Sequence, residues 1–323
     1  MSEFSLIQRY FTRPTPSAVL GVGDDAALVR VNSGMELAIS TDMLVSGTHF
    51  FADADPYMLG HKTLAVNISD MAAMGAQPRW ATLALSLPGE DEAWLERFSA
   101  GFFALAEEYH VELIGGDTTQ GPLNLCVAIM GEVPQGKALR RDGAKVGDEI
   151  WVSGKLGDAA LALAHMQGKL MLDDASFTAT APALHRPIPR VALGIALRDI
   201  AHSAIDISDG LLADLGHILE RSGMAAEIQF NMLPVSTYLR AFLEQKMGLA
   251  QALGMQCVLA GGDVYELCFT APIERHAEIE KLSVRLDLPL SCIGKIVAGS
   301  GCIVHAADGS VMTIKETGYD HFK

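Results

Sequence analysis

The chain has 323 residues, half of them hydrophobic, which is enough for two domains with real cores and excludes a disordered protein. Its 39 acidic against 24 basic residues give a formal charge of -15, the wrong sign for a chain that binds nucleic acid through a basic face. The same charge would repel phosphorylated ligands unless divalent cations stood between carboxylates and phosphate oxygens.

The first residues, Met1-Ser2-Glu3-Phe4-Ser5-Leu6-Ile7, lack a basic stretch leading into an apolar one, and no later run approaches the roughly 18 apolar residues of a membrane span. A cytoplasmic protein is expected. Gly21-Val22-Gly23-Asp24-Asp25-Ala26 superficially fits a dinucleotide-binding turn, but adjacent aspartates would face the pyrophosphate, and 27–31 reads as extended where that turn demands a helix. Residues 36–40 are expected extended, 57–74 helical, 80–87 extended, 92–109 helical, and 111–114 and 123–133 extended, an α/β pattern. The stretch 134–148 is richer in Gly, Lys and Arg and precedes a strand at 149–153. An N-terminal domain over 1–136, a linker over 137–148 and a C-terminal domain over 149–323 are therefore expected. The second half echoes the first weakly, Ile114-Gly115-Gly116-Asp117 returning as Ala260-Gly261-Gly262-Asp263 and Asn67-Ile68-Ser69-Asp70 as Asp206-Ile207-Ser208-Asp209. Five cysteines without a CxxC pair indicate neither a disulfide framework nor a zinc knuckle.

Aspartates recur at the ends of apolar runs: Asp24 and Asp25, then Asp42, then Asp117. Strand ends in α/β sheets gather ligands, and glycine beside an aspartate lets a backbone approach a phosphate, although an ordinary surface turn uses the same residues. Thr63, Asn67 and Asp70 form one polar stripe on the mostly apolar helix 57–74. A carboxylate there needs a partner, either a cation, a lysine or a helix N-terminus. Ser208 or Asp209 is expected to cap the helix that follows Gly210, which leaves Asp206 unexplained. Like charges about 4 Å apart cost on the order of 4 kcal/mol at an effective dielectric of about 20, so convergence of these carboxylates implies metal ions. The donors are hard oxygens without clustered His or Cys, which points to Mg²⁺ or Mn²⁺ and so to phosphates. No P-loop, GxSxG elbow or HExxH helix occurs. Arg140 and Arg141 are either cations for a triphosphate or a solvated pair, and His49 is either structural or functional.

Taken in order, Gly23-Asp24-Asp25, Ser40-Thr41-Asp42, Asn67 to Gly75, Gly115-Gly116-Asp117-Thr118-Thr119, Asp206-Ile207-Ser208-Asp209-Gly210, Tyr265-Glu266-Leu267 and Gly318 to Phe322 resemble the thiamine-monophosphate kinases along nearly the whole chain. The resemblance implies a fold shared with aminoimidazole ribonucleotide synthetase, with an N-terminal α/β domain that pairs with its copy in a homodimer and an α/β C-terminal domain. It implies ATP-dependent conversion of thiamine monophosphate to thiamine diphosphate with several Mg²⁺ ions. Asp25, Ser40, Thr41, Asp42, Asp70, Asp117, Asp206 and Asp209 would then be metal-site residues. Gly116, Asp117, Arg141 and Ser208 would contact ATP, and His49, Asp263 and Tyr319 the thiamine phosphate. No general base or covalent nucleophile is expected, because a phosphate monoester is already charged and nucleophilic. One departure stands out: Asp263-Val264 replaces the Glu-Asp the family commonly carries. The alternatives are another ATP-using enzyme of the same superfamily and a non-catalytic nucleotide- or metal-binding module.

Overall fold

The computed structural model describes residues 2–244 and 248–322, which divide into two compact units. One unit runs to Ala138 without Ala72–Gly75; the other takes Ala72–Gly75 and the described residues from Leu139 onward.

The first unit holds helix α1 (Glu3–Leu6), strand β1 (Met35–Val45), helix α2 (Pro56–Ala73), strand β2 (Gln77–Leu87), helix α3 (Glu92–Tyr109) and strands β3 (Glu112–Gln120) and β4 (Asn124–Pro134). The strands form one sheet in the order β1-β4-β2-β3, with β3 parallel to β2 and the other pairs antiparallel. Leu125, Val127 and Ile129 of β4 alternate inward into the core with Leu83 and Leu85 of β2, as a half-covered sheet requires. Helix α3 starts on the Asp91 carboxylate, which accepts the Trp94 N–H, and ends at His110 in the left-handed region. Its Phe98 and Phe102 are fully buried.

The second unit adds β5 (Glu149–Ser153), α4 (Asp158–Met166), α5 (Asp174–His185), α6 (Val191–Leu197), β6 (Ser203–Asp206), α7 (Leu211–Ser222), β7 (Ala225–Gln229), α8 (Thr237–Leu243), α9 (Leu249–Ala260), β8 (Leu267–Ala271), α10 (His276–Leu286), β9 (Leu290–Val297) and β10 (Gly301–His305). Its strands form a mixed sheet in the order β10-β7-β9-β5-β8-β6. Leu211, Leu215 and Ile218 give α7 an apolar face, which packs with Ile205, Cys268 and Val304 in the core. Of the five free thiols, Cys257 and Cys268 are buried and Cys126, Cys292 and Cys302 half-buried. Among the described residues, no helix is long and apolar enough to cross a membrane.

Two strands outrun the apolar runs that announce them. Asp42 and Asp117 were expected at strand ends, but the ladder continues past both, since Asp42 pairs with Val127 and Asp117 with Ala84. Backbone pairing sets the length of a strand, and a polar side chain on a half-solvated sheet does not stop it.

His276 opens α10 with Nδ1 2.8 Å from Glu149 Oε2 on β5, and its ring meets Trp151 edge-on at 4.9 Å. The hydrogen bond to Glu149, reinforced by the charges of Glu149 and Glu280, raises the imidazole above its ordinary pKa. The contact therefore stabilises fully below the unfolded value near 6.5 and is lost as pH rises through the folded one. The His276→Gln variant should lose more in melting temperature at about pH 6 than at about pH 8, modestly because the ring is 40% exposed. Equal losses at the two pH values would contradict this.

Candidate functional site

In the first unit, the polar stripe of α2 faces β1. The Thr63 hydroxyl donates to the Leu59 carbonyl, the Asn67 amide donates to the Thr63 carbonyl, and Asn67 Oδ1 accepts the Asp42 N–H at 3.2 Å. One turn further on, Asp70 Oδ2 accepts the Ser40 hydroxyl at 2.5 Å. Ser40, Asp42 and Asp70 thus gather where β1 meets α2. One partner of Asp70 is a strand hydroxyl, which was not among the cation, lysine and helix end that the sequence left open.

Strand alternation separates the remaining candidates from this group. Asp42 lies opposite Val127 and Ser40 opposite Ile129, both core residues, whereas Thr41 lies opposite Ala128 on the other face. Asp117 shares the face of Thr41, because it is in register with Ala84, which pairs with Cys126 and through it with Met43. There Asp25, Gly116 and Asp117 line one cavity of 940 Å³, which Phe4, Ile7 and Phe11 also border. Gly116 has an internal reason to be glycine, since a Cβ would meet the Leu83 carbonyl oxygen at 1.9 Å. His49 sits in the turn after β1, and its Nδ1 accepts the Val45 N–H at 2.9 Å, so the ring proton is on Nε2. Cys126 lies near Asp42; burial, and then that charge, raise its thiol pKa.

In the second unit, Asp206 ends β6 and is buried. The turn after it carries the departure from expectation. Neither Ser208 nor Asp209 caps α7; Gly210 takes that position without a side-chain cap. Instead Asp214, inside the helix, reaches back, and its Oδ2 accepts the N–H groups of Ser208 (3.0 Å), Asp209 (3.0 Å) and Gly210 (3.1 Å). Burial pushes the Asp214 carboxyl up to about 7, with the charge of Asp209 adding to it and the three N–H groups opposing. The sequence offered a signal for this residue, an acidic side chain in the first turn of a helix that follows a tight glycine turn.

Other segments take the carbonyls of the same turn. Tyr265 N–H donates to Ile207 O (2.8 Å), Asp263 N–H to Ser208 O (2.9 Å) and Tyr319 N–H to Asp209 O (3.0 Å). Asp206, Ser208, Asp209, Asp263 and Tyr319 are thereby drawn onto one backbone knot. Gly318 lets the C-terminal segment come this close, since a Cβ there would lie 2.8 Å from the Asp209 carbonyl oxygen. Asp263 and Tyr265 adopt φ of +60° and +53°, conformations that cost on the order of 1–3 kcal/mol each and survive only where the surroundings over-determine them. The surroundings here are a hydrogen bond from Tyr265 OH to Asp263 Oδ1 (3.2 Å) and an anchored neighbour, Glu266. Arg190 holds Glu266 in a two-pronged ion pair at 2.8 and 2.5 Å, and the Ser153 hydroxyl donates to the same carboxylate. Arg190 and Glu266 carry no functional motif of their own, and only the fold reveals their link to the turn.

Arg141 is exposed in the second unit, where its carbonyl accepts the Ser222 hydroxyl; Arg140 is spent on a two-pronged pair with Asp142. Among the described residues, no three His, Cys, Asp or Glu side chains gather closely enough to hold an ion by themselves.

Comparison with known proteins bears on both units. The family model for the AIR synthase related protein, N-terminal domain, matches residues 23–133, and that for the C-terminal domain residues 145–306. Thiamine-monophosphate kinase of Escherichia coli (strain K12) is 48% identical over 324 residues, covering 99% of this chain and 98% of the relative. The crystal structure of thiamine-monophosphate kinase from Stenotrophomonas maltophilia K279a matches with a TM-score of 0.86 at 48% identity, over 97% of this chain and 98% of that one. The structure of AaThiL complexed with AMPPCP and TMP matches with a TM-score of 0.78 at 32% identity, over 93% and 92%.

Proposed function

The chain belongs to the AIR synthase related proteins and, within them, to the thiamine-monophosphate kinases, and from that premise we infer that it transfers the terminal phosphoryl group of ATP to thiamine monophosphate, giving thiamine diphosphate and ADP. The observation that carries this reading is the backbone knot, where residues suited to a metal–nucleotide complex, Asp206, Ser208 and Asp209, are tied directly to Asp263 and Tyr319, suited to the thiamine end. The relative bound to AMPPCP and TMP supports it.

The donor set fits Mg²⁺. Mg²⁺ takes one or two carboxylates plus waters and substrate phosphates and needs no closed protein cage, which agrees with carboxylates placed in pairs with hydroxyls. Ser40, Asp42, Asp70, Asp206 and Asp209 would hold several such ions, with Asp25, Thr41 and Asp117 serving the opposite face of the first sheet. When bound, the ions neutralise the charge that builds on the transferring group. Gly116 and Ser208 would meet the nucleotide, and the guanidinium of Arg141 its phosphates. Protonated Nε2 suits His49 to donate to the acceptor phosphate, while the Asp263 carboxylate and the Tyr319 ring suit a thiazolium cation. The acceptor carries about -1.5 to -2 charge at neutral pH, so in-line attack needs no general base.

The working form is a homodimer in this reading. β1 is an edge strand, and Ile39 and Met43 on its outer face are 64% and 55% exposed, an apolar stripe suited to a second copy. Five free thiols support a cytoplasmic setting. The test is ADP release from ATP in Mg²⁺, which should depend on thiamine monophosphate and stop on adding EDTA. Release independent of thiamine monophosphate, or full activity in metal-free buffer, would overturn the proposal.

A further inference from the structure

We propose that Asp214 is the positioning residue that turns the start of α7 from an anion site into a cation site, fixing the 208–210 turn so that Ser208 and Asp209 meet a metal–nucleotide complex in one arrangement. The proposal rests on the kinase reading above for its ligand, but its geometry stands alone.

A turn that delivers successive N–H groups to a helix N-terminus is ordinarily a place for phosphate. Here a carboxylate of the chain occupies that place. Asp214 is 3% exposed, and a single oxygen, Oδ2, takes three consecutive N–H groups. These belong to the turn before the helix and not to its first residues, so Asp214 is no ordinary cap. Its own N–H returns to the Gly210 carbonyl at 3.0 Å. With the Ser208 and Asp209 carbonyls taken by Asp263 and Tyr319, every N–H and C=O of the turn is committed inside the protein. The Ser208 hydroxyl and Asp209 carboxylate, by contrast, make no side-chain hydrogen bond among the described residues. A turn with a spent backbone and idle oxygen side chains can offer a ligand only those oxygens. They select a cation.

The test uses the full chain and reads Mn²⁺ binding by electron paramagnetic resonance, with a non-hydrolysable ATP analogue present, so that it does not depend on turnover. Outer-shell partners of a metal site cost about 10- to 100-fold in affinity when removed, and Asp214→Ala should weaken Mn²⁺ by that factor. Asp214→Asn, whose carbonyl can still accept the three N–H groups, should stay within a few-fold of the wild type. Asp214→Glu, which carries the acceptor one methylene further, should weaken Mn²⁺ while keeping a native circular dichroism spectrum, and it stands in if the alanine variant does not fold. Wild-type Mn²⁺ affinity in both the Ala and Glu variants, with only the melting temperature lowered, would reduce Asp214 to a structural role and overturn the proposal. Thiamine-monophosphate-dependent turnover of the wild type, measured separately, decides the kinase reading.

Discussion

Asp42→Asn should lower kcat by roughly a hundredfold or more, about 2.7 kcal/mol of lost transition-state stabilisation. The fold should survive, because the change leaves in place the backbone N–H of residue 42, which donates to Asn67 on α2. What disappears is one negative oxygen beside Ser40 and Asp70, where an ion would neutralise the transferring phosphoryl group. Asp263→Asn is the matched control. Asn tolerates the left-handed conformation found at this position and can still accept from Tyr265 OH, so the loop should keep its shape. It loses a charge that would hold the thiamine end similarly in ground and transition states, so KM for thiamine monophosphate should rise with kcat little changed. Near-normal kcat in Asp42→Asn, or a kcat defect at unchanged KM in Asp263→Asn, would show that the metal and substrate roles are misassigned.

The second large effect concerns stability. Arg190→Met should destabilise the second unit by about 3–5 kcal/mol, because it leaves the Glu266 carboxylate, 9% exposed, without its paired cation. Ser153 can supply one hydroxyl, which does not replace two charge-assisted bonds. In Arg190→Met/Glu266→Gln no charge is left buried, so the double variant should recover most of the loss. Denaturant melts of both variants measure this. A single variant within about 1 kcal/mol of the wild type would show that water reaches Glu266 and that the pair contributes little.

Much of this architecture is legible from the residues. Residues 92–109 read as one helix and form one, because an aspartate opens it and a left-handed histidine closes it. The stripe Thr63, Asn67, Asp70 announces a helix face with polar business, and it meets Ser40 and Asp42. Alternation along β1 already separates Thr41 from Ser40 and Asp42, but the side on which Asp117 falls could not be read, because it follows from strand register, and register is a property of two strands at once. A bulge between Ala81 and Thr82 further shifts the pairing of β2 with β3. Asp214 was passed over because a carboxylate in the first turn of a helix looks like routine dipole compensation until its three hydrogen bonds are seen. The left-handed Tyr265 has no signal in its side-chain type, whereas Asp263 is of a type that tolerates the conformation.

The two sheets impose different schedules on a chain leaving the ribosome. β1 to β4 are complete by Pro134, so the first sheet can close as soon as that segment has emerged. β5 has no such freedom. It sits in the middle of its sheet, and its neighbours are β8 and β9, with Glu149 opposite Ala271 on one side and Lys295 on the other. The central strand of the second sheet is therefore made early and waits, both edges open, until nearly the whole chain has been translated. Non-local pairing of this kind is slow and leaves a sticky intermediate. Trp151 and Val152 of β5 are buried in the finished sheet and unpaired in such an intermediate, so the half-made chain should be most prone to aggregate between the synthesis of β5 and that of β9.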